Sequence, residues 1–214
     1  MKVSKAQAQA NREHVVQTAS ALFRERGYDG VGVADLMAAA GFTHGGFYKQ
    51  FESKAELMAE SAACGIAQTV ALSEGATAAN FVSAYLSREH RDAPAKGCTM
   101  AALGGDASRQ SEAVRATFAG GIEGILAGLN LEGTALDSDD AQEARAKGLS
   151  VLAHVVGAVV MSRACPDDSP LADEILAACR KEILASLVPP PSAPKPGRRR
   201  AGPRAGKPSV DKGR

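Results

Sequence analysis

The sequence contains no tryptophan and few aromatic residues of any kind. Aromatic side chains make up 4% of the 214 residues, whereas hydrophobic residues as a group make up 45%. Alanine supplies much of the hydrophobic share, and alanine favours helices more than sheets. This composition favours closely packed helices over a β-sandwich, with enough apolar side chain to bury a real core.

Long apolar runs, a secretion signal and paired cysteines are also lacking. The longest apolar run covers residues 155–161, far short of the about 20 residues that a membrane span needs. No charged start followed by an apolar core and a cleavage site opens the chain. The four cysteines, Cys64, Cys98, Cys165 and Cys179, have no short paired spacing, which argues against a zinc site or a disulfide framework. We therefore expect a cytoplasmic protein with no membrane contact and no bound metal.

Motifs for catalysis are absent as well. The sequence has no GxSxG, no HExxH and no Walker loop. Gly30 and Gly32 lack the third glycine and the preceding strand of a dinucleotide-binding turn. The four histidines lie far apart with no recognisable partner. We expect neither an enzyme nor a cofactor-binding protein.

Residues 27–57 carry the most informative pattern in the chain. Apolar side chains at spacings of three and four form one stripe of a short helix; they are Val33, Leu36, Met37 and Ala40. Gly41 then supplies the positive φ that ends this helix at little steric cost. Thr43 can cap a second short helix through its hydroxyl.

A third helix follows the second. Phe47 and Phe51, four residues apart, direct the second helix inward, and Tyr48 lies outside their stripe. Residues 53–56, Ser-Lys-Ala-Glu, form a capping box that starts the third helix. Two short helices joined by a glycine turn are the layout of a helix-turn-helix, whose second helix enters the DNA major groove.

The spaced pattern Thr43-x-Gly45-x-Phe47-Tyr48-x-x-Phe51-x-x-Lys54-x-x-Leu57 resembles the recognition segment of the TetR/AcrR family of bacterial transcriptional regulators. The resemblance covers residues 10–60. It implies an all-α fold, with an N-terminal three-helix DNA-binding domain and a C-terminal helical ligand-binding and dimerisation domain. It also implies a repressor that a small-molecule effector releases from a palindromic operator. The family commonly caps the first of these two short helices with an alcohol side chain, and here Gly32 stands at that position.

The expected DNA contacts lie on the second helix of the motif and at the start of the third. The resemblance implies that Thr43, Tyr48 and Lys54 contact phosphates. The other exposed positions of the recognition helix are expected at base edges or the groove wall; they are His44, Gly45, Gly46 and Lys49. Because residues 1–60 hold seven basic and seven acidic side chains, we expect binding at a few points rather than through a broad basic field.

Helical spacing continues to residue 187. It predicts a first helix that Ser4 caps and that ends at Gly27, followed by helices over residues 54–73, 76–91, 113–131, 139–163 and 171–187, with a short helix from residue 98. The sequence therefore predicts a DNA-binding domain over residues 1–60 and a helical effector-binding and dimerisation domain over residues 61–188. A tail over residues 189–214 follows.

The tail differs sharply in composition. It holds eight Lys or Arg and one Asp, whereas residues 1–188 hold 17 basic and 23 acidic side chains. Its proline, glycine and arginine content leaves almost nothing to bury, so we expect it to be disordered. Non-specific DNA contact and a purely solubilising role are both compatible with this composition.

Two sites are expected in the body. An effector pocket in its helices is expected to be lined by Phe81, Tyr85, Cys98, Met100, Phe118, Ile122 and His154. The last two helices are broad and apolar and resemble the dimerisation pair of the family. Their candidate dimer contacts are Leu152, Val156, Val159, Ile175, Cys179 and Ile183.

Two other functions stay open at this stage. Cys98 begins a predicted helix near Lys96, and both features favour the thiolate that an electrophile or oxidant sensor needs. A small buried hydrophobic residue is the plainer interpretation of the same cysteine. An architectural protein that binds DNA through its tail is the other alternative, and it predicts binding that ignores sequence and falls steeply with salt.

Overall fold

The computed structural model describes residues 4–73, 75–129, 134 and 138–188, and every regular element in these ranges is helical. This confirms the predicted all-α fold. In chain order the α-helices are α1 (Lys5–Arg26), α2 (Val33–Ala39), α3 (Lys54–Ser73), α4 (Ala78–Tyr85), α5 (Arg88–Asp92), α6 (Thr99–Ala107), α7 (Glu112–Gly128), α8 (Ala141–Arg163) and α9 (Pro170–Leu187). Two 3₁₀ segments, His44–Lys49 and Pro94–Lys96, join them. The predicted tail at 189–214 lies outside the described residues.

Local signals set most helix ends as predicted. The Ser4 hydroxyl accepts the N–H of Gln7 at 3.1 Å and starts α1. Gly27, with φ of 73°, ends α1, and Gly41, with φ of 79°, follows α2. These left-handed conformations are ones that glycine adopts without the steric penalty of a Cβ atom. The Ser53 hydroxyl accepts the N–H of Glu56 at 3.2 Å and starts α3.

Two predictions about helices were wrong. The single helix expected over residues 76–91 is broken, because Leu86 leaves helical geometry and the Ser87 hydroxyl caps α5 by accepting the N–H of His90 at 3.1 Å. The recognition segment His44–Lys49 is a 3₁₀ helix, and the Thr43 hydroxyl makes no capping hydrogen bond to it. The Ser87 cap thus divides residues 76–91 into two helices, although their apolar spacing predicts one.

α1, α2, the recognition segment and the start of α3 surround one small core, which we call the head. Its most deeply buried large side chains are at most 2% exposed; they are Phe23, Tyr28, Leu36, Met37, Phe47, Phe51 and Leu57. α3 then continues beyond this core to Ser73 and packs against α7. We call the end of α3 together with α4 to α9 the body. The domain boundary predicted at residue 60 falls inside α3, so this one helix belongs to both the head and the body.

In the body, α8 lies against α9, and α6 packs against α3, α7 and α8. The glycines of α7 serve different purposes. A Cβ atom on Gly121 would lie 2.6 Å from Cδ1 of Ile66 on α3, whereas one on Gly124 would meet nothing within 4 Å. Gly121 therefore permits the close approach of α3 and α7.

Arg24 joins the head to the body. It lies on α1 and is 7% exposed. Its Nε and Nη2 donate to the carbonyl oxygen of Ala95 at 3.0 and 2.7 Å, and Nη1 lies 3.4 Å from the Thr99 hydroxyl. Burial lowers the pKa of Arg24. Within the described residues no carboxylate pairs with this guanidinium, so carbonyl, amide and hydroxyl oxygens compensate its buried charge.

Arg12 joins the recognition segment to both long helices of the head. Its guanidinium donates to the carbonyl oxygen of Gln50, just after the recognition segment, and to Glu60. It also pairs with Glu56 at 2.8 Å and lies 4.2 Å above the ring of Phe51. This set of contacts fixes where the recognition segment ends relative to α1 and α3.

We expect Gly65→Ala to destabilise the protein by about 1–3 kcal/mol. The added Cβ atom would lie 2.3 Å from Nη1 of Arg24 and 2.4 Å from the Thr99 hydroxyl oxygen, so it would force the Arg24 contacts apart. Gly124→Ala is the matched control, since it adds a methyl to an open helix position and should stabilise by about 0.5–1 kcal/mol. Urea denaturation measures both changes, and a Gly65→Ala protein as stable as the parent would contradict this role of Gly65.

The Glu56 contacts predict a pH dependence. The backbone N–H of Glu52, at 2.6 Å, and then the Arg12 guanidinium hold the pKa of Glu56 below its usual value. A lowered folded-state pKa adds stability above the unfolded-state pKa of about 4.3, and this stability is lost as pH falls through the folded value. Glu56→Gln should therefore destabilise at neutral pH, and the difference from the parent should close in acid.

Glu182→Gln is the control for that series, because Glu182 lies exposed on α9 and pairs with no cation among the described residues. Thermal unfolding between pH 3 and 7 measures both variants. A Glu56→Gln deficit that is the same at every pH would contradict the assignment.

Candidate nucleic-acid interface and body cavities

The recognition segment separates inward and outward side chains. Phe47 and Phe51 are 1% and 2% exposed, whereas Tyr48 is 67% exposed. The Tyr48 ring is held edge-on against Phe47 and His44, with ring centroids 5.2 and 5.7 Å apart. An aromatic ring fixed in this way presents its hydroxyl outward with little freedom left to lose on binding.

Most of the predicted DNA contacts are exposed, and we call this set of residues the reading surface. It consists of Thr43, His44, Gly45, Tyr48 and Lys49. Gly46 departs from this set. It is half-buried, and its Cβ position lies 3.5 Å from Cε of Met37 on α2, so it faces the head core rather than a groove wall.

Lys54 has a structural contact besides any role on DNA. It is half-buried at the start of α3, and its Nζ donates to the carbonyl oxygen of Tyr28 at 2.6 Å. Its ammonium also lies 5.8 Å from the centroid of the Phe23 ring. One of its three N–H donors is thus used inside the head, which leaves the others for an anion at the helix start.

Arg12 and Arg24 were missed at the sequence level. Their partners lie 38 to 75 residues away along the chain, and nothing in the local pattern distinguishes either side chain from a solvated arginine. Only the fold reveals that Arg12 contacts Gln50, just after the recognition segment, and that Arg24 joins the head to the body.

The predicted effector-pocket residues line two separate cavities. Cavity 1, of about 320 Å³, lies between α3, α4, α5 and the segment before α6. Its lining includes Phe81, Tyr85, His90, Lys96, Gly97 and Cys98. Three of the predicted residues, Phe81, Tyr85 and Cys98, are therefore brought together here.

Cavity 2, of about 410 Å³, lies between α6, α7 and α8. It contains the next three predicted residues, Met100, Phe118 and Ile122, together with Leu149, Leu152 and Val156. His154 lies in neither lining and is exposed. It is two residues from Leu152 on α8, and the rotation of the helix over two residues directs the two side chains to different sides.

His90 organises one wall of cavity 1. Its Nε2 accepts the backbone N–H of Cys98 at 3.1 Å, so its Nδ1 carries the proton and donates to the carbonyl oxygen of Tyr85 at 2.7 Å. Burial lowers the pKa of His90, which keeps the ring neutral. A Cβ atom on Gly97 would lie 2.8 Å from Nε2, so glycine is required where the chain passes this ring.

The outer face of α8 and α9 is apolar. Leu149, Val160, Met161 and Leu171 are 39% to 60% exposed. Of the predicted dimer contacts, Leu152, Val159 and Ile183 are buried in the chain's own core. Val156, Ile175 and Cys179 are only partly buried and remain available beside the exposed group.

α8 is long and apolar enough to cross a membrane by length and composition alone. The most apolar stretch of α8 is 33% buried within the chain. α8 also packs against α5, α6, α7 and α9, which is the behaviour of a core helix with one uncovered side. In the described ranges no three His, Cys, Asp or Glu side chains group in a way that could hold a metal ion.

The head matches known proteins in sequence. Residues 15–60 match the family described as "Bacterial regulatory proteins, tetR family". A 43-residue stretch is 49% identical to the HTH-type transcriptional repressor DhaR of Mycobacterium sp. (strain GP1). That stretch covers 20% of this chain and spans only 22% of the length of the repressor.

The whole fold matches solved structures at low sequence identity. The reduced form of NemR from E. coli superimposes with a TM-score of 0.66 at 18% identity, covering 85% of this chain and 98% of NemR. A TetR-family regulator from Cytophaga hutchinsonii gives a TM-score of 0.64 at 20% identity, covering 88% and 99%. The sequence similarity to the tetR family is therefore carried by residues 15–60, and the chain as a whole shares the fold of these solved structures.

Proposed function

We propose that this protein is a dimeric, cytoplasmic transcriptional repressor that binds a roughly palindromic operator and is released from it by a small molecule. The observation that carries the proposal is the reading surface, on which hydroxyls, an imidazole and an ammonium project from a segment anchored by Phe47 and Phe51. Such a surface suits contact with phosphates and base edges.

Each part of the reading surface has a distinct task. The Thr43 and Tyr48 hydroxyls donate to phosphate oxygens and fix the register of the head on the duplex. His44 and Lys49 reach base edges or the adjacent phosphate. Gly45 is exposed, and a Cβ atom there would meet nothing within 4 Å, so the bare backbone is free to approach the groove wall.

The dimer is proposed to form through the outer face of α8 and α9. Leu149, Val160, Met161 and Leu171 would be covered by the same face of a second copy, which is the self-complementary contact of a two-fold dimer. This contact would also bury the apolar side of α8. Two heads held by one interface read two half-sites at a fixed spacing of one helical turn or more.

An effector acts on this spacing through the head–body contacts. The segment that lines cavity 1, residues 96–98, directly follows Ala95, whose carbonyl accepts two hydrogen bonds from Arg24 on α1. A ligand that moves this segment therefore moves α1 relative to α6. Such coupling requires only a few kcal/mol of preference for one arrangement.

Selective DNA binding tests the proposal. A duplex from the region upstream of the protein's own gene should bind in the presence of a scrambled competitor, and Tyr48→Ala should weaken binding at least about tenfold, because the contact is lost at both half-sites. Lys181→Ala, an exposed change on α9, is the matched control and should leave affinity unchanged. Fluorescence anisotropy across salt concentrations measures all three proteins.

A chain that ends at residue 188 separates this proposal from the architectural alternative. Selective binding should survive loss of the tail, with a shallower salt dependence if the tail contacts phosphates. Binding that ignores sequence and disappears with the tail would overturn the repressor proposal.

Cys98 supports a second candidate, a regulator that senses electrophiles. Cys98 is 3% exposed at the start of α6 and lines cavity 1 together with Lys96. An α,β-unsaturated carbonyl compound that enters the cavity would form a C–S bond at its β-carbon, and the thiol proton would end on its α-carbon. The added group would then occupy the space beside His90 and shift the start of α6.

Cys98→Ser separates the two mechanisms. If Cys98 is the sensor, N-ethylmaleimide should release the parent protein from DNA and leave the Cys98→Ser complex intact, whereas Cys165→Ser, a change at a half-buried thiol after α8, should behave like the parent. The readout is DNA binding with mass spectrometry of the intact protein. Equal release of parent and Cys98→Ser protein would end the cysteine mechanism and leave reversible binding.

A further inference from the structure

Cavity 2 has a buried apolar floor and an exposed mouth. The floor consists of the buried lining residues Met100, Ala107, Phe118 and Leu152. We call the exposed lining residues the mouth; they are Gly104, Ser108, Arg115, Leu149 and Ala153. Among the residues that the structure describes, Arg115 is the only charged side chain in this lining. The cavity therefore combines a large apolar surface with a single positive charge at its opening.

Arg115 lies on the side of α7 that faces the cavity. It precedes Phe118 by three residues and Ile122 by seven, and all three belong to the lining. Residues at these spacings share one face of a helix. The charge and two apolar side chains of the wall are thus presented by the same face of α7.

The Arg115 guanidinium is not used within the described chain. It forms no ion pair and no side-chain hydrogen bond there, whereas Arg109 pairs with Asp106 at 2.6 Å and Arg145 pairs with Glu123 at 2.6 Å. The other polar side chain of the lining is engaged, because the Ser108 hydroxyl donates to the carbonyl oxygen of Gly105 at 2.8 Å. Arg115 therefore provides the N–H donors and the positive charge that a ligand at the mouth would meet.

We propose that cavity 2 binds a small apolar acid, whose apolar body covers the floor and whose carboxylate pairs with Arg115. The cavity volume of about 410 Å³ lies within the range of small-molecule sites. The carboxylate stays at the mouth, because the floor has no cation that would offset its desolvation. An ammonium group in the same place would meet the like charge of Arg115.

The ligand would contact a side chain beside the helix that the head and the body share. Met100 belongs to the floor, and a Cβ atom on Gly121 would lie 2.9 Å from its Cε and 2.6 Å from Cδ1 of Ile66 on α3. Met100 therefore packs where α3 and α7 approach most closely. The inference rests on the proposed function only in giving the acid the role of an effector.

Three probes separate the contributions of the tail and the charge. Decanoate has both features, decylamine has the same tail with a positive charge, and acetate has the carboxylate without the tail. Isothermal titration calorimetry on the full chain at pH 7, without DNA, should show decanoate binding at least about tenfold more tightly than acetate, because its tail buries apolar surface. It should also bind about three- to tenfold more tightly than decylamine.

Arg115→Gln tests the charged residue. The variant should bind decanoate about two- to fivefold more weakly, the range expected for an exposed ion pair, and should not weaken decylamine binding. Arg180→Gln is the matched control. Arg180 is also exposed and forms no ion pair with a described residue, but it lies on α9 outside the lining, so its replacement should leave decanoate binding unchanged.

Gly104→Leu tests the cavity itself. Gly104 belongs to the lining, and a Cβ atom there would meet nothing within 4 Å, so the new side chain is accommodated and takes up space at the mouth. We expect decanoate binding to fall at least about tenfold. Gly105→Leu is the matched control, because its Cβ position is equally open and lies outside the lining. Both variants should melt no lower than the parent, since leucine favours helix more than glycine does.

Several results would overturn the inference. They are no decanoate binding, which a second copy seated in the mouth would also produce, equal binding of decanoate and decylamine, or parent-like decanoate binding by Arg115→Gln or Gly104→Leu. If selective DNA binding persists in the same preparation, only the ligand assignment fails. Conversely, decanoate binding that depends on Arg115 in a protein without selective DNA binding would uphold the site and remove its role as an effector site.

Discussion

The buried guanidinium of Arg24 is the contact on which the arrangement of head and body depends. It is a positive charge in an apolar setting without a carboxylate partner in the described residues, and it is compensated by the Ala95 carbonyl, Gln68 and Thr99. Removing one of these partners leaves an uncompensated charge, which costs more than an ordinary surface hydrogen bond. Position 65 requires glycine, because a Cβ atom there would collide with the Arg24 guanidinium and the Thr99 hydroxyl.

The position of Arg24 on α1 also relates cavity 1 to the recognition segment. Ala95 precedes the segment 96–98 that walls cavity 1, and α1 leads from Arg24 back to Arg12, which holds the end of the recognition segment. Two arginines on α1 therefore contact the end of the recognition segment and the residue that precedes the cavity wall. α3 provides a second rigid connection, since it belongs to the head core at Leu57 and to the body at Ile66.

The sequence predicted what local chemistry decides. The Ser4 cap, the glycine ends of α1 and α2, and the opposite orientations of Phe47 and Tyr48 follow from spacing and side-chain type. Contacts between distant segments were missed, because a guanidinium bound to a carbonyl 71 residues away leaves no local pattern. For the same reason the expected single pocket is two cavities, and Leu152, Val159 and Ile183 are buried in the chain's own core.

The most direct test of this account is calorimetric unfolding of the parent and of Arg24→Gln. If Arg24 holds head and body as one cooperative unit, the parent should unfold in a single transition, and the variant should unfold at lower temperature in two resolved steps. Two transitions in the parent, or a single unshifted transition in Arg24→Gln, would contradict the coupling of the reading surface to the body.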